Sequence, residues 1–265
     1  MLHHALPVEL YVPIAEYAEK KDLVSLMLVS RLLHSEVERV LYREIKLGVD
    51  SERYHVSRAA FYNLSSSPRT AQYVVRLGIK FSAFVGSADA PKMVSAALQQ
   101  MVNLRHFTLV VSGRAASLQD LTRGCTFQLR YIEYHNHDDD SAYLPTFFAL
   151  QPQIEHVRIP YYPRASILSS ALPRLRIIDG PQYLAEALLE NRSRPITRLI
   201  WQSSGSELKI HAPFPHLKVL KVREADDLST LDLGAPSTAP NLRFLKVRYW
   251  DSEVIEPPLI TKREV

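Results

Sequence analysis

The chain has 265 residues, of which 46% are hydrophobic and 23% charged, and its net charge at neutral pH is +4. These values are typical of a globular protein of one or two domains and exclude a chain that is disordered throughout. The single cysteine, Cys125, excludes an internal disulfide and a multi-cysteine zinc site. Phosphate-loop, nucleophile-elbow and zinc-protease motifs are also missing from the sequence, which argues against the enzyme classes that use them.

Targeting signals and charge clusters are likewise not evident. No cationic stretch followed by an apolar segment occurs at the start, and the apolar runs are far shorter than the ~18 residues of a membrane span. Basic residues are mostly spread along the chain, unlike those of a nucleic-acid-binding protein. We therefore expect a protein of the cytoplasm, the nucleus or both, with neither nucleic acid nor a membrane as its partner.

Residues 6–47 have helical periodicity and predict three short helices. In the first helix, Leu10, Ile14 and Tyr17 follow the spacing i, i+4, i+7 and form one apolar stripe. Pro13 is expected to shift or bend this helix, because proline lacks the N–H of an interior helical bond.

The second and third helices carry their own boundary signals. Asp22 is expected to cap the second helix, and Ser35 with Glu38 has the spacing of a capping box, which predicts a break near residues 33–34. The apolar positions of these helices are Leu23, Leu26, Met27, Val37, Val40 and Leu41. Three helices in 42 residues cannot bury all their apolar faces among themselves, so some of this surface contacts either the rest of the chain, as a simple helical cap, or a partner.

This amino-terminal segment resembles an F-box, in a form common in fungal proteins. The resemblance is carried by Leu6-Pro7-Val8-Glu9-Leu10, Ile14, Asp22-Leu23, Leu26, Leu28, Val29-Ser30-Arg31 and Leu41-Tyr42-Arg43-Glu44-Ile45. F-box domains dock on a Skp-type adaptor, which a cullin scaffold holds in a ubiquitin ligase. The resemblance implies that the adaptor contacts are Leu6, Pro7, Leu10, Ile14, Leu23, Leu26 and Val29.

The remainder of the chain repeats one pattern, in which an apolar anchor is followed three and five residues later by two further anchors. Eight copies begin at Val74, Leu104, Leu129, Ile154, Leu175, Ile196, Leu217 and Leu242. Their spacing of 21–30 residues is close to that of leucine-rich repeats. Because the last two anchors alternate as in a half-buried strand, we predict one strand per copy. Helix-compatible stretches lie between copies, at 92–101, 118–123, 142–150, 165–172 and 183–190.

The predicted fold class is α/β, with a three-helix F-box followed by an irregular leucine-rich-repeat-like α/β solenoid. We place the F-box at 1–47, a rigid junction at 48–70, the solenoid at 71–250 and a tail at 251–265. Irregularity is expected because Gly180 replaces an apolar anchor and no Asn or Cys recurs after the strands. These units resemble the degenerate repeats that often follow the F-box in fungal proteins. A non-repetitive α/β domain with coincidental turns remains the alternative.

The variable positions of the predicted strands are expected to share one face of the sheet, and in the last two copies they are basic. These residues are Lys221, Arg223, Lys246 and Arg248, followed by Tyr249 and Trp250. Strands ~4.8 Å apart would bring the four cations into one patch, which predicts a site for an acidic or phosphorylated segment of a substrate protein. A solvated strand face carries the same residues without any ligand.

Two features invite a catalytic or metal-binding interpretation. His135 and His137 with Asp138–Asp140 form a stretch that suits either a metal or a polar loop, and we favour the loop. Cys125 is interpreted as a small buried apolar residue. We expect no catalytic residue, cofactor or metal, and instead a non-catalytic receptor.

The function implied by the resemblance is that of the substrate-recognition subunit of a Skp–cullin–F-box E3 ubiquitin ligase. The F-box would bind the Skp-type adaptor, and through it the cullin, while the solenoid would bind a substrate protein. The alternative is a repeat-based protein-binding scaffold that acts without ligase recruitment.

Overall fold

A computed structural model describes residues 7–50, 54–82, 89–113, 116–136, 140, 142–160, 170–189, 194–202, 215–223 and 239–247. Several sequence predictions lie outside the described residues. They concern Leu6, His137, Asp138, Asp139, Arg248, Tyr249, Trp250, most of the helix predicted at 165–172, and the tail at 251–265.

Three helices begin the described chain, as the sequence predicts. A 3-10 turn at Val8–Leu10 precedes α1 (Tyr11–Tyr17), α2 (Lys20–Met27) and α3 (Arg31–Arg43). Pro13 is the third residue of α1, where the missing N–H removes no bond within the helix. The expected effect of Pro13 is thus seen as a late start of the α-helix at Tyr11.

The two capping predictions in this segment are wrong. Glu19 occupies the N-cap position of α2, so Asp22 lies in the first turn, where its carboxylate faces the positive end of the helix dipole. Ser30 caps α3 by accepting a hydrogen bond from the Leu33 N–H at 3.1 Å. The Ser35 hydroxyl donates back to the Leu32 carbonyl at 2.9 Å, and α3 therefore continues without a break.

The three helices share a small core in which α3 packs on both α1 and α2. Its buried residues are Ala15, Leu23, Leu33 and Val37, with Tyr11, Ala18, Leu26, Met27, Val40 and Leu41 partly buried around them. The apolar positions noted in the second and third helices all belong to this core or pack against it.

A nine-stranded parallel sheet follows, and its strand order is the order of the chain. The strands are β1 (Glu44–Val49), β2 (Arg76–Phe81), β3 (His106–Val111), β4 (Tyr131–Asn136), β5 (His156–Arg158), β6 (Ile177–Pro181), β7 (Arg198–Gln202), β8 (Val219–Arg223) and β9 (Phe244–Val247). The helices between them are α4 (Tyr54–Ser66), α5 (Pro68–Ala71), α6 (Ala90–Gln100), α7 (Leu118–Thr122), α8 (Leu144–Ala149) and α9 (Gln182–Leu189). The predicted α/β fold class of alternating strands and helices is confirmed.

Each of the eight repeated patterns forms one strand, from β2 to β9. The anchors align in register along the sheet, for example Val157 with Ile178 and Leu199 with Leu220. Burial of these anchors makes the repeat the framework of the apolar core. Strand β1 was not predicted, although Tyr42, Ile45 and Leu47 follow the same pattern.

A recurring backbone contact joins neighbouring repeats. Two successive N–H groups, one and two residues after the first anchor, donate to a single carbonyl of the preceding repeat. Glu155 and His156 donate in this way to Arg130, at 2.9 and 3.0 Å, and Arg176 and Ile177 donate to Glu155 at 2.8 and 3.0 Å. Such identical contacts explain why copies of unlike sequence keep one geometry.

Side-chain amides add a second link between repeats. The residue just before the first anchor bonds to the preceding repeat in two copies: Asn103 Nδ2 to the Gln72 carbonyl at 2.9 Å, and Asn241 Nδ2 to the Pro215 carbonyl at 2.6 Å. The position before the first anchor can therefore supply a side-chain link to the preceding repeat, as it does at Asn103 and Asn241.

The chain divides into two compact units, Met1–Thr108 with Arg114–Phe127, and Leu109–Gly113 with Gln128–Val265. In the first unit, α3 leads directly into β1. Ion pairs join Arg43 to Glu16 at 2.7 Å and Arg69 to Glu38 at 2.8 Å.

No helix within the described ranges has both the length and the apolar character that crossing a lipid bilayer requires.

Candidate protein-binding surfaces

The three amino-terminal helices leave many large apolar side chains exposed, and we call this set the helical surface. It consists of Val8, Leu10, Ile14, Tyr17, Val24, Leu28, Val29 and Leu32, with exposed fractions of 39% to 93%. Thirteen large apolar side chains are exposed in the described part of the chain, and these eight fall within only 25 residues. Such a concentration marks a candidate interaction surface, because isolated exposed apolar residues are ordinary but clusters are not.

Helix α1 and the turn before it carry two apolar stripes with the same spacing. Tyr11, Ala15 and Ala18 pack into the helical core, whereas the stripe identified from the sequence, Leu10, Ile14 and Tyr17, faces outward. The helix is thus apolar over more of its circumference than its own core requires.

The turn between α2 and α3 extends the helical surface. Leu23 of α2 is buried, but Val24 and Leu28, four residues apart, are exposed. The Leu28 and Val29 N–H groups each bond to a carbonyl of the last turn of α2, at 3.1 Å. Together with the Ser30 cap of α3, these bonds fix the backbone of the turn. The exposed apolar side chains of the turn are therefore attached to an ordered segment.

The residues that the F-box resemblance assigns to adaptor binding are found in two environments. Pro7, Leu10, Ile14 and Val29 are exposed, whereas Leu23 lies in the helical core and Leu26 is partly buried against it. The surface also contains residues that were not assigned to adaptor contact, namely Val8, Tyr17, Val24, Leu28 and Leu32. The i, i+4 spacing of Val24 and Leu28 is the signal that predicts their shared face.

The second unit has a set of mostly charged residues on one face of its sheet, of which Asp179 and Ile200 are buried. A row of residues in direct register crosses the strands from β4 to β9, and we call it the sheet-face row. Its members are Glu133, Arg158, Asp179, Ile200, Lys221 and Lys246. They are the variable positions that the sequence analysis expects on one face, and their pairing confirms that they align.

The β4–β6 half of this row is internally neutralised. Arg158 lies 3.0 Å from Glu133 Oε1 and 3.4 Å from Asp179 Oδ2, and His135 Nε2 lies 2.9 Å from the same Glu133 oxygen. Burial acts to raise the pKa of Glu133, but hydrogen bonds from Tyr131 and His135 and the charge of Arg158 outweigh it and lower this pKa. Glu133 is therefore a stable carboxylate at neutral pH.

The β7–β9 half of the row is basic. Lys221 and Lys246 pair directly, and Arg223 ends β8 two residues beyond Lys221. Arg198, which was not predicted, begins β7 two residues before Ile200 and adds a fourth cation to these strands. Phe244 is 44% exposed, and the Lys221 ammonium lies 5.8 Å from its ring centroid.

The His/Asp stretch is described only at His135 and Asp140, since His137, Asp138 and Asp139 lie outside the described residues. His135 contacts Glu133, and the Asp140 carboxylate accepts hydrogen bonds from the Tyr134 hydroxyl and the Asn136 amide. No group of three potential metal ligands occurs among the residues that the structure describes. Burial raises the pKa of Cys125 to about 12, so its thiol is neutral and a poor nucleophile at physiological pH.

A scan against models of known protein families and a search of curated proteins both give no match for this chain. The function therefore has to be argued from the helical surface and the sheet-face row themselves. The helical surface groups eight of the thirteen exposed large apolar side chains of the described residues and is therefore a candidate for contact with a partner.

Proposed function

We propose that this chain is the substrate-recognition subunit of a Skp–cullin–F-box E3 ubiquitin ligase. The amino-terminal helices act as an F-box that binds the Skp-type adaptor, and the repeats bind the substrate protein. The observation that supports this proposal is the helical surface, whose apolar side chains coincide with the segment that resembles an F-box.

The helical surface has the properties of a docking site for apolar pockets. Leu10, Ile14 and Tyr17 project from one side of α1 and the preceding turn at the spacing of a helix that inserts into a groove. Burial of apolar area stabilises a complex by about 25 cal/mol per Å² before the costs of association. A partner that covers this surface therefore gains energy without any rearrangement of the helical core.

The proposed role is positioning rather than chemistry. The ligase machinery is held by the partner, and this chain raises the effective concentration of the substrate near it. The direct connection of α3 to β1 and the Glu38–Arg69 ion pair at 2.8 Å suit this role, because a loose junction would forfeit positioning.

Co-expression with a fungal Skp-type adaptor tests the proposal. Wild-type chain is expected to co-purify with the adaptor, and the Leu10→Asp/Val29→Asp double variant is expected to lose roughly tenfold or more in affinity, since two apolar anchors become charged. Both positions are exposed, so the helical core remains intact in the variant.

The matched control is Val56→Asp on α4, whose side chain is 57% exposed but lies outside the helical surface. Retention of adaptor binding by this control is expected. Failure of the wild-type chain to bind, or equal binding by the double variant, would refute the F-box assignment. The first result would favour the alternative, a protein-binding scaffold that does not recruit a ligase.

A further inference from the structure

We infer that four side chains fix the orientation of the three amino-terminal helices relative to strands β1 and β2, and that they therefore act as positioning residues. They are Glu38 and Arg39 of α3, Arg69 of α5 and Tyr73, and we call them the α3–α5 cluster. All four belong to the first unit of the chain. The inference deepens the proposed function and rests on it for the use of this orientation, which is to hold a substrate near the ligase.

The first argument is that the three helices have a core of their own. Among the described residues, this core and the apolar side chains packed against it lie between Tyr11 and Leu41. The buried residues of the first two strands, such as Val49, Leu77 and Ile79, are not part of it. The orientation of the helices therefore depends on their covalent connection to the sheet and on contacts at the boundary.

The second argument is that the covalent connection is a single backbone position. Helix α3 ends at Arg43, and β1 begins at Glu44, whose backbone is extended with φ −131° and ψ 115°. Two rigid elements that meet at one position can pivot there unless a second contact restrains them. Glu38 lies ~7.5 Å from Arg43 along the helix axis, so a contact at Glu38 restrains this pivot.

The third argument is the geometry of the α3–α5 cluster. Arg69 Nη2 donates to Glu38 Oε2 at 2.8 Å, and Arg69 Nε donates to the Tyr73 hydroxyl at 3.3 Å. The Glu38 side chain is only 17% exposed, so this ion pair is partly shielded from water. The Arg39 guanidinium lies 5.6 Å from the centroid of the Tyr73 ring. Two successive residues of α3 are thus joined to α5 and to Tyr73.

The repeat side of the cluster is itself held in place. Tyr73 directly precedes Val74, the first anchor of the first copy, which is fully buried. The N–H groups of Tyr73 and Val74 donate to the carbonyls of Thr70 and Ala71, at 3.1 and 3.2 Å. The α3–α5 cluster therefore restrains α3 against an ordered part of the first unit.

The cluster can fix an orientation without contributing much to the stability of the fold. Exposed ion pairs change the free energy of unfolding little. An orientation, by contrast, is selected by a preference among folded arrangements. Loss of the cluster is therefore expected to widen the range of orientations while the helices and strands stay folded, whereas a purely structural role would lower the unfolding temperature.

Double electron–electron resonance on the full chain measures this range of orientations. Spin labels are attached to Ser25→Cys on α2 and Ala96→Cys on α6, both at exposed positions, in a Cys125→Ser background. The chain with an intact cluster is expected to give one narrow distance distribution. Glu38→Arg brings like charges together and is expected to broaden the distribution by roughly twofold or more, because α3 then pivots at Glu44.

A charge swap supplies the rescue. Glu38→Arg/Arg69→Glu restores the ion pair with opposite polarity and is expected to return the distribution to its original width. Melting followed by circular dichroism is expected to give the same unfolding temperature for all variants. Lys21→Glu is the matched control, because it breaks an ion pair of the same 2.8 Å length, with Glu19, inside the helical segment. This control should leave the distribution unchanged.

Three distance results would overturn the inference: a broad distribution with the cluster intact, an unchanged distribution in Glu38→Arg, or no recovery in the charge swap. Broadening with a loss of helical signal would also overturn it, since the pair would then support folding rather than orientation. Adaptor co-purification separates this failure from failure of the proposed function, and all variants are expected to bind as the wild type does. A wild-type chain that has the narrow distribution but does not bind the adaptor refutes only the ligase assignment.

Discussion

Arg194 is a buried cation that ties two backbone segments of the second unit together. Its side chain is 3% exposed, and its Nε and Nη2 donate to the Ala171 carbonyl at 3.1 and 2.8 Å. Its Nη1 donates to the Leu188 carbonyl in the last turn of α9, where a positive charge also complements the helix dipole. No sequence pattern distinguishes this arginine from a solvated one, so it was not anticipated.

Replacing Arg194 by methionine is expected to destabilise the protein by roughly 2–5 kcal/mol, because two buried carbonyls lose their charged donor. Urea denaturation followed by circular dichroism measures the effect. Arg174→Met is the control, since Arg174 is exposed and contacts only the Gln153 side chain in the described structure, at 2.5 Å. Equal destabilisation by the two variants would contradict the role given to Arg194.

The sheet-face residues show what a sequence can and cannot predict at the scale of side chains. The repeat pattern correctly places Lys221 and Lys246 on one face, because strand alternation is strict. It did not identify the pairing of Glu133 with Arg158, which depends on the lateral register of two strands, or the contact of Glu133 with His135 within β4. Arg198 was missed because it lies between the first and second anchors of its repeat, whereas only the variable positions after the second anchor were considered.

At the scale of single elements, Gly180 explains the irregular repeat at β6. A Cβ at this position would lie 2.6 Å from the Ile159 carbonyl oxygen and 2.7 Å from Leu184 Cδ2. Helix α9 begins directly after β6, so Leu184 occupies the space that an apolar anchor fills in the other repeats. The glycine is thus required by the close approach of the Ile159 backbone and of α9 rather than marking a gap in the core.

Gly180→Ala is therefore expected to lower the free energy of unfolding by about 1–3 kcal/mol, the usual cost of overpacking a core. Gly78→Ala in β2 is the matched control, because its Cβ would meet only Lys46 Cγ at 3.5 Å. Thermal or urea unfolding of both variants checks the prediction. A control as unstable as Gly180→Ala would mean that the loss of strand glycine, rather than the contact with α9, causes the effect.

Element boundaries were less predictable than the elements themselves. The eight strands β2–β9 could be predicted because each repeat has apolar residues three and five positions after its first anchor, and this spacing recurs along the sequence. The caps of α2 and α3 were misplaced because each helix begins three to five residues before the predicted cap, at Glu19 without a side-chain capping bond and at Ser30 with one. Strand β1 was missed because its anchors overlap the end of a helical pattern.

At the scale of the whole molecule, the chain combines an apolar helical surface in its first unit with a charged sheet face in its second. The sequence predicts that the helices have more apolar surface than they can bury. It does not predict which side faces outward, because α1 and the preceding turn carry two stripes of identical period, Tyr11–Ala15–Ala18 and Leu10–Ile14–Tyr17. Packing against α3 selects the first stripe for the core.

The central claim is that a Skp-type adaptor covers the helical surface, and amide hydrogen exchange of the chain with and without the adaptor measures this most directly. Binding is predicted to slow exchange across residues 8–32, while the β7–β9 strands are unchanged. The Leu10→Asp/Val29→Asp variant should lose that protection. Unchanged exchange at 8–32 at saturating adaptor, or protection confined to other segments, would contradict the account.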